Sequence, residues 1–148
     1  MKIVSMVLSL VLLLTVMAVS ADSDRKYIVL QREAAKTAPF SEAVLAGNTL
    51  YIAGHLGLDP KTGKPGATPE EEARLVMESL KRTVEAAGLS MDDMVSVQVF
   101  CSDVSVFDAF NSVYRTYFHG NYPARAFIGA GKLLFGARFE VQGIAVKR

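Results

Sequence analysis

Residues 122–146 read "YPARAFIGAGKLLFGARFEVQGIAV", two apolar runs on either side of the glycine-bearing segment "GKLLFG". This pattern predicts two β-strands, residues 124–130 and 138–146, joined by a loop. The second strand has apolar side chains on both faces, for example Phe139 on one face and Ile144 on the other. A two-layer monomer would leave one of these faces in water, so we expect copies of the chain to bury it in a homo-oligomer.

The segment from Thr68 to Gly88 is predicted to form the first helix. Thr68 is an N-cap residue, Pro69 suits the first helical position, and Glu71 completes a capping box. Apolar side chains recur at helical spacing and predict the buried face: Ala73, Val76, Met77, Leu80, Val84 and Ala87. The opposite face is predicted to be polar and exposed: Glu72, Arg74, Glu78, Lys81, Arg82 and Glu85.

A strand and a second helix are predicted between the first helix and residue 122. Residues 94–101, "MVSVQVFC", alternate with period two, which predicts that one strand face holds Val95, Val97, Val99 and Cys101. A helix is predicted from about Ser105 to Gly120, with an aromatic stripe at Phe107, Phe110, Tyr114, Tyr117 and Phe118. Such a stripe at helical spacing is typical of a buried core face.

The amino-terminal part of the domain is predicted to be a strand followed by a hairpin. Residues 27–30 suit a short strand, and "EAVLAGNTLYIAGHLG" reads as two strands around a turn at Gly47 and Asn48. Residues 57–66, rich in glycine and proline, predict an exposed loop. The complete order, β, β-hairpin, α, β, α, β, β, predicts an α+β two-layer sandwich of about six strands with both helices on one face.

The first 21 residues have the layout of a secretory signal peptide. Lys2 precedes an apolar run over residues 3–19, and small residues end the segment at Ala21. An uncleaved membrane anchor is the alternative, because about 17 apolar residues lie at the lower limit for a bilayer span. The lack of flanking aromatic residues favours cleavage. Removing 21 of the 148 residues would leave one domain, residues 22–148, in a periplasmic or secreted protein.

Charge and cysteine content exclude several classes of partner. Lys2 is the only charged residue of the leader, so 15 basic residues balance 15 acidic ones in the rest. We therefore expect no nucleic-acid partner, and no membrane partner after leader removal. Cys101 is the only cysteine, and we interpret it as a small buried hydrophobe rather than a nucleophile. His55 and His119 are isolated, so no metal or other cofactor is expected.

Arg125 is the one charged side chain in the otherwise small and apolar run of residues 121–131. Two interpretations are open at this point. An ion pair at the end of the strand, to Glu140 or to a neighbouring helix, would contribute only about 0 to 1 kcal/mol at the surface. Alternatively, the planar guanidinium binds a carboxylate through two parallel hydrogen bonds, and it stays charged at any working pH.

The chain resembles the reactive-intermediate deaminase (RidA) family, also labelled endoribonuclease L-PSP. The resemblance rests on "AGNTLYIAGHLGLDPKTGKP", "EAAGLSMDDMVSVQVFCSDVSVFDAFNSVYRTYF" and "YPARAFIGAGKLLFGARFEVQGIAV". It implies a chorismate-mutase-like fold and a homotrimer with a cleft between each pair of subunits. It also implies hydrolysis of enamines and imines derived from amino acids, such as 2-aminoacrylate, to the 2-keto acid and ammonia.

The resemblance also implies roles for individual residues. Arg125, in the matching P-A-R triplet, would bind the substrate carboxylate, and the backbone of Phe127 would hydrogen-bond the substrate nitrogen. Asn111 would line the cleft, although a solvent-facing helix residue is the alternative. The family's water-orienting glutamate aligns with Gln142, and a glutamine can hold water but cannot take its proton near neutral pH.

Two further positions depart from the family pattern. Phe40 stands where a tyrosine is usual, and Ala53 stands where a serine precedes the glycine of the hairpin. His55 would replace the lost proton carrier or be a hydrogen-bonded structural residue. A non-catalytic trimer that binds small 2-keto acids is therefore the alternative function. The older label suggests ribonuclease activity, but this sequence has neither a pair of neighbouring histidines nor a run of basic residues that would support it.

Overall fold

The computed structural model describes residues 25–30 and 37–148, and the predicted leader lies outside them. The strands are β1 (Arg25–Ile28), β2 (Ala43–Ala46), β3 (Thr49–Leu56), β4 (Met94–Cys101), β5 (Ala124–Gly129) and β6 (Phe139–Val146). The helices are α1 (Pro69–Ala86) and α2 (Phe107–Tyr114), and short 3-10 turns flank α2 at both ends. No helix in the described ranges is both long and apolar enough to cross a membrane.

The six strands form one mixed sheet in the order β1-β2-β3-β6-β4-β5. All neighbours are antiparallel except β4 and β5, because α2 provides the crossover that makes this last pair parallel. The hairpin turn between β2 and β3 uses Gly47 in the left-handed region, as its position before Asn48 predicts. The predicted α+β two-layer sandwich is thus confirmed, with β5 at one edge of the sheet.

Both helices cover the same face of the sheet and enclose the core. The capping box at Thr68 and Glu71 forms as predicted, and it starts α1 above β3 and β6. The aromatic stripe of α2 faces the sheet: the rings of Phe110 and Phe139 have centroids 4.9 Å apart. These contacts bury the helical faces that the apolar spacing predicts.

Two predicted side-chain orientations are wrong. Val95 is 47% exposed rather than buried, because a register shift between Met94 and Ser96 turns it away from the helices. Glu72, predicted on the polar face of α1, is fully buried and accepts hydrogen bonds from the start of β6. Both differences arise from contacts between segments that are distant in sequence.

The face of the sheet opposite the helices carries large apolar side chains beside polar ones, and no described segment covers it within one chain. Side chains of β6 alternate between buried and half-buried along the whole strand. The cross-strand registers place Ile144 on this outer face beside Tyr51, which is 53% exposed. Tyr27 and Ile128 lie on the same face and are 61% and 38% exposed. Exposed apolar side chains of this size support association of copies of the chain.

Candidate functional site

Arg125 points from β5 towards the helices, because it alternates along the strand with the outward-facing Ala124 and Ala126. Its guanidinium carbon lies 4.5 Å from the ring centre of Tyr114, and Phe107 and Phe127 lie 5.8 and 5.9 Å away. Aromatic faces attract a cation, and these rings hold the guanidinium in a defined place.

A cavity of about 380 Å³ opens beside Arg125. Its wall consists of Phe107, Asn111, Tyr114, Arg115, Tyr122, Pro123 and Arg125. Asn111 is buried, so the alternative of a solvent-facing helix residue is wrong. The cavity thus combines a fixed cation, a side-chain amide and aromatic walls.

The alternative interpretation, an ion pair between Arg125 and Glu140, is wrong. The two residues lie on opposite faces of the sheet, on strands that β4 separates. In the described part of the chain, no carboxylate pairs with Arg125. Because it is held by rings and not neutralised by an acid, Arg125 keeps both edges of its donor fork available for an external carboxylate.

Phe127 lies two residues beyond Arg125 on the same face of β5. Its ring packs edge-on against Phe107, with centroids 4.9 Å apart, and against Phe110 at 5.6 Å. Since β5 has a neighbouring strand on one side only, part of its backbone faces away from the sheet. The side chain of Phe127 therefore supports the Arg125 cavity, and a backbone contact to a ligand stays a prediction.

A second cavity, of about 370 Å³, includes three other predicted site residues: Phe40, Ala53 and His55. It lies at the end of β3, where a bulge between Ile52 and His55 displaces the strand. Bulges commonly redirect side chains beside functional sites. Within one chain these three residues do not line the Arg125 cavity.

Glu140, which sequence reasoning did not assign to the site, lies beside the bulge. A Cβ atom at Gly54 would collide with the Glu140 carboxylate, so the absence of a side chain at Gly54 makes room for that acid. Gln142, the predicted position, is instead paired across the sheet, where its Nε2 donates to Gln98 Oε1 over 2.6 Å. The sequence offered one signal for this role: Glu140 is acidic, and it lies two residues before Gln142, on the same face of the strand.

His55 is a buried, hydrogen-bonded residue in this structure. Its Nδ1 lies 3.0 Å from Ser79 Oγ on α1, and its Nε2 has no partner among the described residues. Burial, with a smaller contribution from the charge of Arg82, lowers the pKa of His55 to about 4. The imidazole is therefore neutral near pH 7, which favours the structural role over that of a proton carrier.

His55 should make folding stability depend on pH. Its pKa is about 4 in the folded chain and about 6.5 when unfolded. The contribution of the neutral His55 to the free energy of unfolding is therefore fully present above pH 6.5, and it is lost as the pH falls towards 4. Between pH 7 and 5 we expect the wild type to lose about 2 kcal/mol more unfolding free energy than His55→Gln. Urea denaturation at both pH values measures this difference, and the exposed His119→Gln serves as control. Equal losses in wild type and His55→Gln would contradict the prediction.

Neither a cluster of metal-ligating side chains nor a reactive thiol is found in the described part of the chain. Across residues 25–30 and 37–148, no three His, Cys, Asp or Glu side chains come together as a metal site requires. The Sγ of Cys101 donates to the carbonyl of Asp103 over 3.0 Å, and burial raises the pKa of the thiol. Cys101 is therefore a buried core residue, as interpreted from its strand position.

Comparison with known proteins identifies relatives over most of the chain. A family profile described as Endoribonuclease L-PSP matches residues 31–147, which include every residue of both cavities. The 2-iminobutanoate/2-iminopropanoate deaminase of Rattus norvegicus is 37% identical over 125 residues, 83% of this chain and 90% of that protein. The human protein of the same name is 34% identical over 110 residues, 74% of this chain and 80% of that protein.

Solved structures share the fold as well. The YJGF gene product from E. coli superposes with a TM-score of 0.76 at 32% identity, covering 83% of this chain and 99% of that one. E. coli TdcF, solved with bound serine, gives a TM-score of 0.75 at 29% identity, covering 83% of this chain and 100% of that one. The layered architecture is therefore common to these proteins.

Proposed function

Because the chain belongs to the endoribonuclease L-PSP family, we propose that it hydrolyses 2-imino acids and their enamine tautomers to 2-keto acids and ammonia. The relatives named 2-iminobutanoate/2-iminopropanoate deaminase support this reaction class. The observation that carries the proposal is the Arg125 guanidinium, held over aromatic rings beside a cavity and unpaired with any described carboxylate.

The substrate class follows from the chemistry of the Arg125 cavity. A 2-imino acid offers one carboxylate, which matches the fork of the guanidinium, and one reactive C=N carbon next to it. Anchoring the carboxylate fixes the position of that carbon, and such positioning supplies much of the acceleration. The serine bound to TdcF shows that this related protein accepts an amino-acid-sized ligand.

The reaction needs few groups from the protein. Water adds to the C=N carbon while the nitrogen gains a proton, which produces a carbinolamine. The C–N bond then breaks while the hydroxyl proton is transferred to the nitrogen, and ammonia leaves together with the 2-keto acid. An enamine must first gain a proton at carbon. A carboxylate that holds the attacking water and accepts its proton would accelerate the addition step.

The complete site requires a second subunit in this proposal. Phe40, Ala53 and Gly54 line a cavity separate from Arg125 within one chain, and the outer sheet face exposes the large apolar side chains Tyr27, Tyr51 and Ile128. In a homotrimer the bulge of one subunit would face the Arg125 cavity of its neighbour. Light scattering should then give three times the mass of one chain, and a monomeric mass would contradict this arrangement.

Glu140 is our candidate for the carboxylate that orients water. It lies next to Gly54 at the bulge, whereas Gln142 is engaged by Gln98. The resemblance assigns the role to Gln142, so the two positions make different predictions. Glu140 can both accept a proton and hold water, and Gln142 can only hold it.

Paired substitutions test the two positions. We expect Glu140→Gln to lower kcat for 2-iminobutanoate about 10²- to 10⁴-fold, the usual effect of losing a positioned acid or base. Gln142→Glu should change kcat less than about threefold, because Glu140 already provides the carboxylate. Trapping of the imine by semicarbazide reports the remaining substrate. A large gain in Gln142→Glu with no loss in Glu140→Gln would instead place the role at residue 142.

A non-catalytic carboxylate binder is the second candidate. Phe40 and Ala53 both lack the hydroxyl groups that the resemblance leads one to expect, which favours binding without efficient turnover. In that case 2-oxobutanoate would raise the melting temperature of the wild type and not of Arg125→Ala, while imine trapping would stay unchanged. Turnover by the wild type would exclude this candidate.

We also propose that the protein is exported after cleavage behind Ala21. The support is the pattern of the first 21 residues, which lie outside the described part of the chain. Amino-terminal sequencing of the mature protein tests this, and a retained Met1 would contradict cleavage.

A further inference from the structure

Tyr114 has a hydroxyl group with no hydrogen-bond partner. The side chain is only 3% exposed, and its oxygen is buried without a donor or acceptor in the described part of the chain. A buried hydroxyl without a partner costs stability, and most such groups are satisfied in native proteins. Phenylalanine would fill the same space without this cost, so the hydroxyl calls for a partner outside the chain itself.

The position of Tyr114 indicates what that partner is. The residue forms part of the wall of the Arg125 cavity, one helical turn after the buried Asn111 on the same face of α2. The guanidinium of Arg125 lies over the Tyr114 ring at 4.5 Å. A carboxylate bound to this guanidinium would therefore share the cavity with the Tyr114 side chain.

The proposal rests on the function proposed above. We propose that the Tyr114 hydroxyl donates a hydrogen bond to the carboxylate of the 2-imino acid that Arg125 holds. The acid would then be recognised by a guanidinium and a phenol together, and the hydroxyl would gain its missing acceptor only when the cavity is occupied. Hydrogen bonds to a charged acceptor are about twice as strong as neutral ones.

The protonation state of Tyr114 suits a donor. Burial raises the pKa of the hydroxyl to about 12, although the nearby charge of Arg125 opposes this shift. The group therefore keeps its proton throughout the working range. It can donate to a carboxylate, and it does not compete with the carboxylate as a second anion beside Arg125.

The substitution Tyr114→Phe tests the proposal, because it removes the hydroxyl and keeps the ring beneath Arg125. We expect KM for 2-iminobutanoate to rise about tenfold with kcat changed less than about threefold. The Kd of 2-oxobutanoate, measured by calorimetry, should rise by a similar factor. The melting temperature should stay the same or increase, because the variant no longer buries a hydroxyl without a partner.

Tyr117→Phe is the matched control. The Tyr117 hydroxyl already donates to Glu78 over 2.8 Å and lies outside the Arg125 cavity, so its loss should lower stability without changing KM. Unchanged KM and Kd in Tyr114→Phe would overturn the inference. So would a fall in melting temperature or dissociation of the oligomer, since either would assign the hydroxyl to structure or to a subunit contact.

The two proposals fail in different ways. If the wild type does not consume 2-iminobutanoate, the proposed reaction fails, yet weaker 2-oxobutanoate binding by Tyr114→Phe would still support the hydroxyl contact. If the wild type is active and Arg125→Ala is not, while Tyr114→Phe equals the wild type, only the inference about Tyr114 is overturned.

Discussion

Replacing Arg125 with alanine is expected to lower kcat/KM for 2-iminobutanoate by about 10²- to 10⁴-fold. The guanidinium can give the substrate carboxylate two charged hydrogen bonds, each contributing about 1.5 to 3 kcal/mol. Losing both removes the anchor that positions the C=N carbon, and every 1.4 kcal/mol corresponds to a factor of ten. Arg125→Lys should retain part of the activity, because an ammonium keeps the charge without the planar fork.

The assay generates the imine with an amino-acid oxidase and traps what remains with semicarbazide. Arg74→Ala is the matched control, because Arg74 is an exposed arginine on α1 that lies outside the Arg125 cavity. We expect its effect to stay below about threefold, since an exposed charge contributes little. If Arg125→Ala and the wild type suppress trapping equally, Arg125 is not the carboxylate anchor of this reaction.

Replacing Glu72 with alanine is expected to lower the free energy of unfolding by about 3 to 5 kcal/mol. The fully buried carboxylate accepts from the backbone N–H groups of Arg138 and Phe139, over 2.5 and 3.0 Å. It also pairs with Nη1 of Arg138 at 2.7 Å. The alanine variant leaves these donors without their acceptor at the junction of α1 and β6, and buried donors without partners are costly.

Urea denaturation of both proteins measures the loss. Glu85→Ala, which removes an exposed carboxylate 3.8 Å from Lys81 on the same helix, should change stability by less than about 0.5 kcal/mol. Glu72→Gln should fall between the two, because its amide oxygen can still accept from both backbone N–H groups, whereas its NH₂ group cannot accept from the Arg138 guanidinium. A loss below about 1 kcal/mol in Glu72→Ala would show that this buried pair is not needed to join helix and sheet.

Residues near one another in sequence determined most of what could be predicted. The capping box at Thr68, the turn at Gly47 and the alternation in β6 each depend on neighbours a few residues away. These local patterns were sufficient for the order of elements and the two-layer fold. The P-A-R triplet of residues 123–125 likewise indicates Arg125 from the sequence alone.

Only the tertiary structure decided which side chains meet across the sheet. Helical spacing places Glu72 on the polar side of α1. It is nevertheless buried, because it pairs with Arg138, 66 residues later in the chain. The bulge in β3 brings Glu140 beside Gly54, and the crossover through α2 places Tyr114 under Arg125. Local backbone geometry sets the periodicity of a helix or strand. These side-chain contacts depend instead on strand register and on the crossover connection, which form only when distant segments pack together.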